Sequence, residues 1–161
     1  MASFLNENLR RVESIYRQLK AQGKWLATAE SCTGGLLSST LVAFAGISEV
    51  FKGGVCAYSN FAKEILLGVD AEVLAEKGAV SEEVATQMAE GVRKKLEADY
   101  GVGITGIAGP SGGTAEKPVG LVYVGYASAT TSKVIKYQLS GDRNEIRQAT
   151  VSKALCDLES F

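Results

Sequence analysis

A turn of small polar residues, Ser31-Cys32-Thr33-Gly34-Gly35, is the first part of the chain whose residue types suggest chemistry. It follows a short apolar run, Trp25 to Ala29, and precedes an apolar helical stretch, Leu36 to Phe44. Where a strand leads into a helix, free backbone N–H groups and the helix dipole can stabilise an oxyanion or bind a phosphate. The same residues would also suit an ordinary helix cap, so Ser31 as a nucleophile stands beside a purely structural interpretation.

The base that would activate such a serine is restricted by composition, because the chain contains no histidine. Serine–histidine triads, cysteine–histidine pairs and histidine-ligated metal sites are therefore impossible. Lysine, aspartate, glutamate and tyrosine remain as bases. Lys63, in the first turn of a predicted helix, could lose its charge through desolvation and the helix dipole, or could be one solvated cation among 17 basic residues. Cys32 is an alternative nucleophile, although a small buried cysteine is the simpler expectation.

Two further segments could bind a ligand. The glycine-rich loop Gly106 to Gly113 follows a predicted strand that ends at Thr105, and open α/β sheets bind ligands at such strand ends. The loop carries no P-loop or dinucleotide fingerprint, and a long turn is its alternative interpretation. Arg143 and Arg147 lie four residues apart on one face of a predicted helix. They could clamp a phosphate or pair with neighbouring carboxylates.

The elements that must position these residues alternate between helix and strand. Apolar periodicity predicts an opening helix over Phe4 to Gln22 and a longer helix from Ser81 to Leu96. The remaining predictions are strands at 25–29, 50–59 (with a bulge at Gly53 and Gly54) and 100–105, a hairpin over 119–139, and helices at 36–44, 60–67, 71–77 and 143–158. The pattern predicts a single three-layer α/β/α domain over residues 1–161 with a mixed, mostly parallel sheet.

Composition limits the partners. A net charge of −1 lacks the basic surplus on which nucleic-acid binding depends. The longest apolar stretches are far shorter than the roughly 18 to 20 residues of a membrane span, so a cytoplasmic protein without membrane contact is expected. Three cysteines fit neither a disulfide framework nor a zinc site and are expected as reduced thiols. Since dimers are the commonest oligomers, a homo-oligomer, with a dimer favoured, is also expected.

Six motifs between about Leu5 and Leu158 occur in an order that resembles a known family. The motifs are Ala29-Glu30-Ser31-Cys32-Thr33-Gly34-Gly35, Tyr58-Ser59-Asn60 with Lys63, Gly78-Ala79-Val80-Ser81, Thr105-Gly106-Ile107-Ala108-Gly109-Pro110, Lys117-Pro118-Val119-Gly120 and Gly141-Asp142-Arg143. Together they resemble the nicotinamide-nucleotide amidase family, which is also the C-terminal domain of the competence-damage-inducible CinA proteins. One departure is Ser111, which stands where members of that family often carry an acidic residue.

The resemblance implies hydrolysis of the carboxamide of nicotinamide mononucleotide to nicotinic acid mononucleotide and ammonia, in pyridine-nucleotide salvage, without a metal or cofactor. It implies Ser31 as the acylated nucleophile, Lys63 as its general base and Thr105 as a polar contact to the reacting group. The nucleotide-binding residues that it implies are Thr33, Gly34, Gly35, Tyr58, Asn60, Gly106, Gly109, Gly112, Arg143 and Arg147. A non-catalytic nucleotide-binding or regulatory module and a scaffold without a ligand remain the alternative functions.

Overall fold

The structure is a computed structural model that describes residues 2–161. Helices and strands alternate along most of the chain, as the apolar periodicity predicts. The helices are α1 (Ala2–Gln22), α2 (Leu36–Val42), α3 (Asn60–Leu67), α4 (Ala71–Lys77), α5 (Glu82–Lys95) and α6 (Arg143–Leu158), with a 3-10 turn at Ile47–Glu49. The strands are β1 (Leu26–Glu30), β2 (Phe51–Cys56), β3 (Tyr100–Gly106), β4 (Leu121–Ala127) and β5 (Ser132–Gln138).

The strands form one five-stranded sheet in the order β2-β1-β3-β4-β5. Strand β1 pairs in parallel with both β2 and β3, whereas β3–β4 and β4–β5 are antiparallel. The predicted mixed sheet is confirmed, but its pairings are evenly divided and not mostly parallel. The reason is that β4 follows β3 without an intervening helix, and a short turn joins β4 to β5, so neither connection can form the crossover that parallel pairing needs.

Helices cover both faces of the sheet, which confirms the predicted three-layer architecture. On one face α1, α2 and α6 pack over a core that includes Leu26, Val102 and Val124. On the other face α3, α4 and α5 pack over Ala27 and Ala29. The alternation of β1 side chains between the two cores follows from the two-residue period of a strand. Within residues 2–161 no helix is both long enough and apolar enough to cross a membrane.

Side-chain caps determine where several helices begin. The Ser59 hydroxyl accepts from the Ala62 N–H at the start of α3, and Ser81 caps α5 in the same way. Asp142 and Glu145 form a capping box at the start of α6. These predicted helix starts are confirmed. Strand β2 ends at Cys56, three residues before the predicted end, because the chain then turns into the extended Ser59 cap.

The β1–β2 register shifts between Leu26 and Ala27, so the irregularity in β2 lies at Lys52, next to Gly53, whereas Gly54 is in register with Thr28. Gly53 has a φ of 141°, a conformation that other residues rarely adopt. Because β1 lies between two parallel neighbours, the carboxyl ends of β1, β2 and β3 meet at one edge of the sheet. Ligand sites of open α/β sheets lie at this kind of edge.

Candidate active site

Three strand ends bring the predicted reactive residues together. Ser31 directly follows β1, Tyr58 lies two residues beyond β2, and Thr105 lies near the end of β3. The Ser31 N–H donates a 3.0 Å hydrogen bond to the Ile104 carbonyl, which ties the turn to β3. Lys63 reaches the same place from α3, where it is the fourth residue. These residues, which are far apart in sequence, therefore lie together at the carboxyl ends of β1, β2 and β3.

The Ser31 and Lys63 side chains are in direct contact. Lys63 Nζ donates a 3.0 Å hydrogen bond to Ser31 Oγ. Lys63 is 1% exposed and Ser31 is 7% exposed, so the contact is shielded from water. No ion pair within residues 2–161 includes Lys63, so no carboxylate neutralises its charge. The surface-lysine interpretation is excluded by this geometry.

Burial lowers the pKa of the Lys63 ammonium, because the low-polarity surroundings disfavour its charged form. The neighbouring Cys32 and Cys56 thiols oppose this effect without reversing it. Burial also raises the pKa of the Cys32 thiol to about 12, so this cysteine stays protonated near neutral pH. A protonated thiol is a poor nucleophile, and Cys32 is the buried residue that the sequence predicted. Of the two candidate nucleophiles, Ser31 is the one with a base beside it.

Glu30, the residue before Ser31, is a neighbour of the candidate site to which the sequence patterns gave no role. Its carboxylate is 1% exposed and accepts hydrogen bonds from the N–H groups of Gly35 (3.1 Å), Leu37 (2.9 Å) and Ser38 (2.8 Å) and from the Ser38 hydroxyl (2.7 Å). The first turn of α2 is therefore occupied by a protein carboxylate. This corrects the expectation that the α2 dipole would serve a bound anion. The sequence signal that could have indicated this buried carboxylate is a charged residue directly after an apolar strand.

Two backbone N–H groups of the turn have no acceptor in another described residue, and of these two residues only Cys32 lines the pocket. The two groups are the Cys32 N–H and the Thr33 N–H. The pocket that Cys32 lines also contains Ser31. An N–H group on the residue after a nucleophile is well placed to stabilise an oxyanion that forms at that nucleophile.

The pocket around the Ser31–Lys63 pair has a volume of about 340 Å³. This size is within the range of small-molecule sites, which is about 300 to 1,000 Å³. Most of the predicted site residues line it, namely Ser31, Tyr58, Asn60, Lys63, Thr105, Gly106, Gly109, Gly112 and Arg143. Ile107, Ala108 and Ser111 of the predicted glycine-rich loop also line it, as does Cys32, the alternative nucleophile. Ala79 and Val80 are the lining residues that were not predicted as site residues. Thr33, Gly34, Gly35 and Arg147 are not among the lining residues.

Thr105 joins two walls of this pocket. Its hydroxyl donates a 2.6 Å hydrogen bond to the Ala79 carbonyl, on the segment between α4 and α5. The residue is 1% exposed, and its hydroxyl proton is committed to that carbonyl. Thr105 can therefore still accept a hydrogen bond from a ligand, for example from an amide NH₂ group.

The two arginines of α6 have different partners. Arg143 donates to the Gly109 carbonyl at 2.7 Å and to the Tyr58 hydroxyl at 3.0 Å, and it lines the pocket. Arg147 donates to the Thr33 carbonyl through Nε (3.3 Å) and a terminal nitrogen (2.8 Å). Arg143 thus provides a cation beside the glycine-rich loop, whereas Arg147 supports the turn that carries Ser31.

Residues 2–161 contain no cluster of three or more cysteine, aspartate or glutamate side chains arranged to hold a metal ion.

The comparisons with known proteins agree with this fold. Residues 9–161 match the family described as the CinA C-terminal domain. A CinA-like protein of Kosmotoga olearia is 52% identical over 143 residues, which are 89% of this chain and 35% of that protein. The structure of a competence/damage inducible protein, CihA, from Agrobacterium tumefaciens is similar with a TM-score of 0.92 and 41% identity, over 94% of this chain and 93% of that one. The chain spans about a third of the length of the curated relatives that it matches. It belongs to the CinA C-terminal domain family.

Proposed function

We propose that this chain is a nicotinamide-nucleotide amidase, which hydrolyses the carboxamide of nicotinamide mononucleotide to nicotinic acid mononucleotide and ammonia in pyridine-nucleotide salvage. The observation that carries the proposal is the buried 3.0 Å contact between Lys63 Nζ and Ser31 Oγ in a pocket of about 340 Å³. The family resemblance of six motifs supports the same substrate. The reaction is proposed to be cytoplasmic and to use neither a metal nor a cofactor.

In the proposed mechanism, the neutral Lys63 amine removes the Ser31 hydroxyl proton as Oγ attacks the carboxamide carbon. The tetrahedral oxyanion accepts a hydrogen bond from the Cys32 N–H group. Lys63 then gives its proton to the leaving nitrogen, which departs as ammonia and leaves an acyl-serine. Lys63 then removes a proton from water as the water attacks the acyl carbon, and it returns that proton to Ser31 Oγ as the acyl–oxygen bond breaks. The carboxylic acid that is released loses its remaining proton to the solvent.

Ammonia release by the Ser31→Ala variant tests the proposal. We expect turnover of nicotinamide mononucleotide to fall by at least about a thousandfold, because alanine cannot form the acyl intermediate. Calorimetric binding of the nucleotide should persist, since the other pocket contacts remain. Ser132→Ala, on exposed strand β5, is the matched control and should keep full activity. Near-normal turnover in Ser31→Ala would refute the serine nucleophile, and nucleotide binding without ammonia release by the wild type would favour the non-catalytic binding module.

The pH dependence of turnover follows from the Lys63 pKa. Only the neutral amine can act as a base, and burial lowers the pKa below the ordinary lysine value of 10.5. The rate should therefore rise with pH through this lowered pKa and level off above it. A profile of kcat/KM against pH measures this in the free enzyme. An inflection at or above 10.5 would contradict a desolvated lysine base.

Arg143 is proposed to bind the phosphate group of the substrate. It lines the pocket beside the glycine-rich loop, and a guanidinium group can donate two parallel hydrogen bonds to a phosphate. Arg143→Ala should raise KM about tenfold or more with a smaller change in kcat, because a charged hydrogen bond contributes about 1.5 to 3 kcal/mol. Arg147→Ala should instead lower kcat, because Arg147 holds the Thr33 carbonyl of the nucleophile turn. Equal KM effects in the two variants would contradict this division.

A further inference from the structure

Two motifs of the sequence, Gly78-Ala79-Val80-Ser81 and Lys117-Pro118-Val119-Gly120, have no role in the proposed mechanism. The structure brings them together beside the pocket. The first motif connects α4 to α5, and two of its residues line the pocket, so we name residues 78–81 the 78–81 wall. The second motif is the last part of the loop that returns from β3 to β4.

A hydrogen bond from Lys117 joins the two motifs. Lys117 Nζ donates to the Lys77 carbonyl oxygen at 2.5 Å, at the last residue of α4 and directly before the 78–81 wall. Gly78 leaves room for this contact, since an added Cβ at that residue would lie 3.1 Å from Lys117 Nζ. A hydrogen bond from an ammonium group is stronger than a neutral one, and lysine often binds the last carbonyls of a helix in this way.

The turn that carries Lys117 is fixed by hydrogen bonds of its own. The Thr114 N–H donates to the Lys117 carbonyl at 2.8 Å, and the Lys117 N–H donates to the Thr114 hydroxyl at 3.0 Å. Nearby, the Gly120 N–H donates to the Ile107 carbonyl at 2.7 Å and closes the base of the loop. The Lys117 side chain therefore extends from an ordered turn to α4.

The 78–81 wall has few other hydrogen bonds to the rest of the chain. The Ala79 carbonyl accepts from the Thr105 hydroxyl at 2.6 Å. The Ser81 hydroxyl donates to the Gly78 carbonyl at 2.9 Å, but this contact lies within the wall. Apart from the helices at its two ends, the wall is thus held against the pocket by Thr105 and, through the preceding carbonyl, by Lys117.

We propose that Lys117 is a positioning residue for the proposed reaction, because it keeps the 78–81 wall in the conformation that binds the nucleotide substrate. This inference rests on the proposed function. If the wall is ordered in only a fraction of the molecules, the apparent dissociation constant rises in proportion as that fraction falls. A bound nucleotide selects the ordered wall, and the Ser31–Lys63 contact involves neither motif. Loss of the Lys117 contact should therefore weaken binding and leave the chemical step unchanged.

Lys117→Met tests the inference through a split between KM and kcat. Methionine is similar in length but donates no hydrogen bond, so KM and the calorimetric Kd for nicotinamide mononucleotide should rise about tenfold, as for the loss of one charge-assisted hydrogen bond. The value of kcat should stay within about twofold, and the inflection of the kcat/KM profile with pH should not move. Lys117→Arg keeps a cationic donor and should restore most of the binding.

Lys77→Met is the matched control. It removes a positive charge from the same place but keeps the backbone carbonyl that Lys117 binds. The Lys77 side chain is 52% exposed and takes no part in that contact, so KM should equal that of the wild type. A rise as large as that in Lys117→Met would show that charge near α4, and not the hydrogen bond, affects binding, and it would overturn the inference.

Hydrogen exchange of the ligand-free protein tests the wall directly. Peptides that cover residues 78–81 should exchange their backbone amides faster in Lys117→Met than in the wild type, and Lys117→Arg should return to the wild-type rate. An unchanged exchange rate, an unchanged KM or a loss confined to kcat in Lys117→Met would overturn the inference. A wild type that neither binds nor hydrolyses the nucleotide would instead refute the proposed amidase, and the exchange rates would still decide whether Lys117 orders the wall.

Discussion

Replacement of Lys63 by methionine is expected to abolish ammonia release while leaving the free energy of unfolding unchanged or raised. The rate should fall by at least about a thousandfold, because Ser31 loses the only base that contacts its hydroxyl in the described structure. Methionine has a similar length, and it removes an amine whose transfer into the 1% exposed site is unfavourable. Ammonia assays and urea unfolding measure the two effects.

Two companion variants separate basicity from packing. Lys63→Arg keeps a hydrogen-bond donor near Ser31 but supplies no base, because a guanidinium group stays protonated. It should be as inactive as the methionine variant and less stable, since a larger charged group must be buried. Lys133→Met, on the exposed edge of β5, should alter neither property. Substantial turnover in Lys63→Met would show that another group deprotonates Ser31.

Gly103→Ala is expected to lower the free energy of unfolding by about 3 kcal/mol, at the upper end of overpacking effects. Helix α5 lies directly on the backbone of β3 at this point. An added Cβ would be 2.5 Å from the Ala89 nitrogen, 2.6 Å from the Ala85 carbonyl oxygen and 2.9 Å from the Met88 Cβ. These atoms belong to the backbone or to fully buried side chains, so the helix itself would have to shift.

Urea unfolding measures the effect of Gly103→Ala, and Gly23→Asn provides the control. Gly23 has a φ of 63° and nothing within 4 Å of an added Cβ. Asparagine tolerates this left-handed conformation, so the substitution should cost well under about 1 kcal/mol. A Gly103→Ala chain as stable as the wild type would show that α5 can move away from the sheet without loss.

The helices were predictable because local signals define them. Ser59, Ser81 and Asp142 are capping residues whose partners lie within three positions, so a linear sequence is sufficient to locate the starts of α3, α5 and α6. The direction of β4 was not predictable in the same way. It depends on how the loop from 107 to 120 returns to the sheet, which is a long-range property of the chain.

The contact between Ser31 and Lys63 was predictable from the missing histidine and from the family resemblance, but the contacts that hold the surrounding turn in place were not. The absence of histidine leaves lysine among the few possible bases, and the motif that contains Lys63 singles out this one. The four-residue spacing of Arg143 and Arg147 predicts a shared helical face, yet it cannot reveal that their partners are the Tyr58–Gly109 wall and the Thr33 carbonyl. Glu30 accepts hydrogen bonds from residues of a turn that folds back toward its carboxylate. Hydrophobic periodicity does not reveal such a turn, so these contacts could not be predicted from the sequence.

The Glu30 carboxylate has a consequence for covalent inhibition. Glu30 secures α2, Arg147 holds the Thr33 carbonyl, and the Ser31 N–H is bonded to β3, so the proposed nucleophile is organised before a substrate arrives. A preorganised serine with its base in place is open to small electrophiles that carry no nucleotide portion. A selective covalent inhibitor would therefore have to be recognised by the pocket residues Tyr58 and Arg143, because the electrophilic group itself would not provide selectivity.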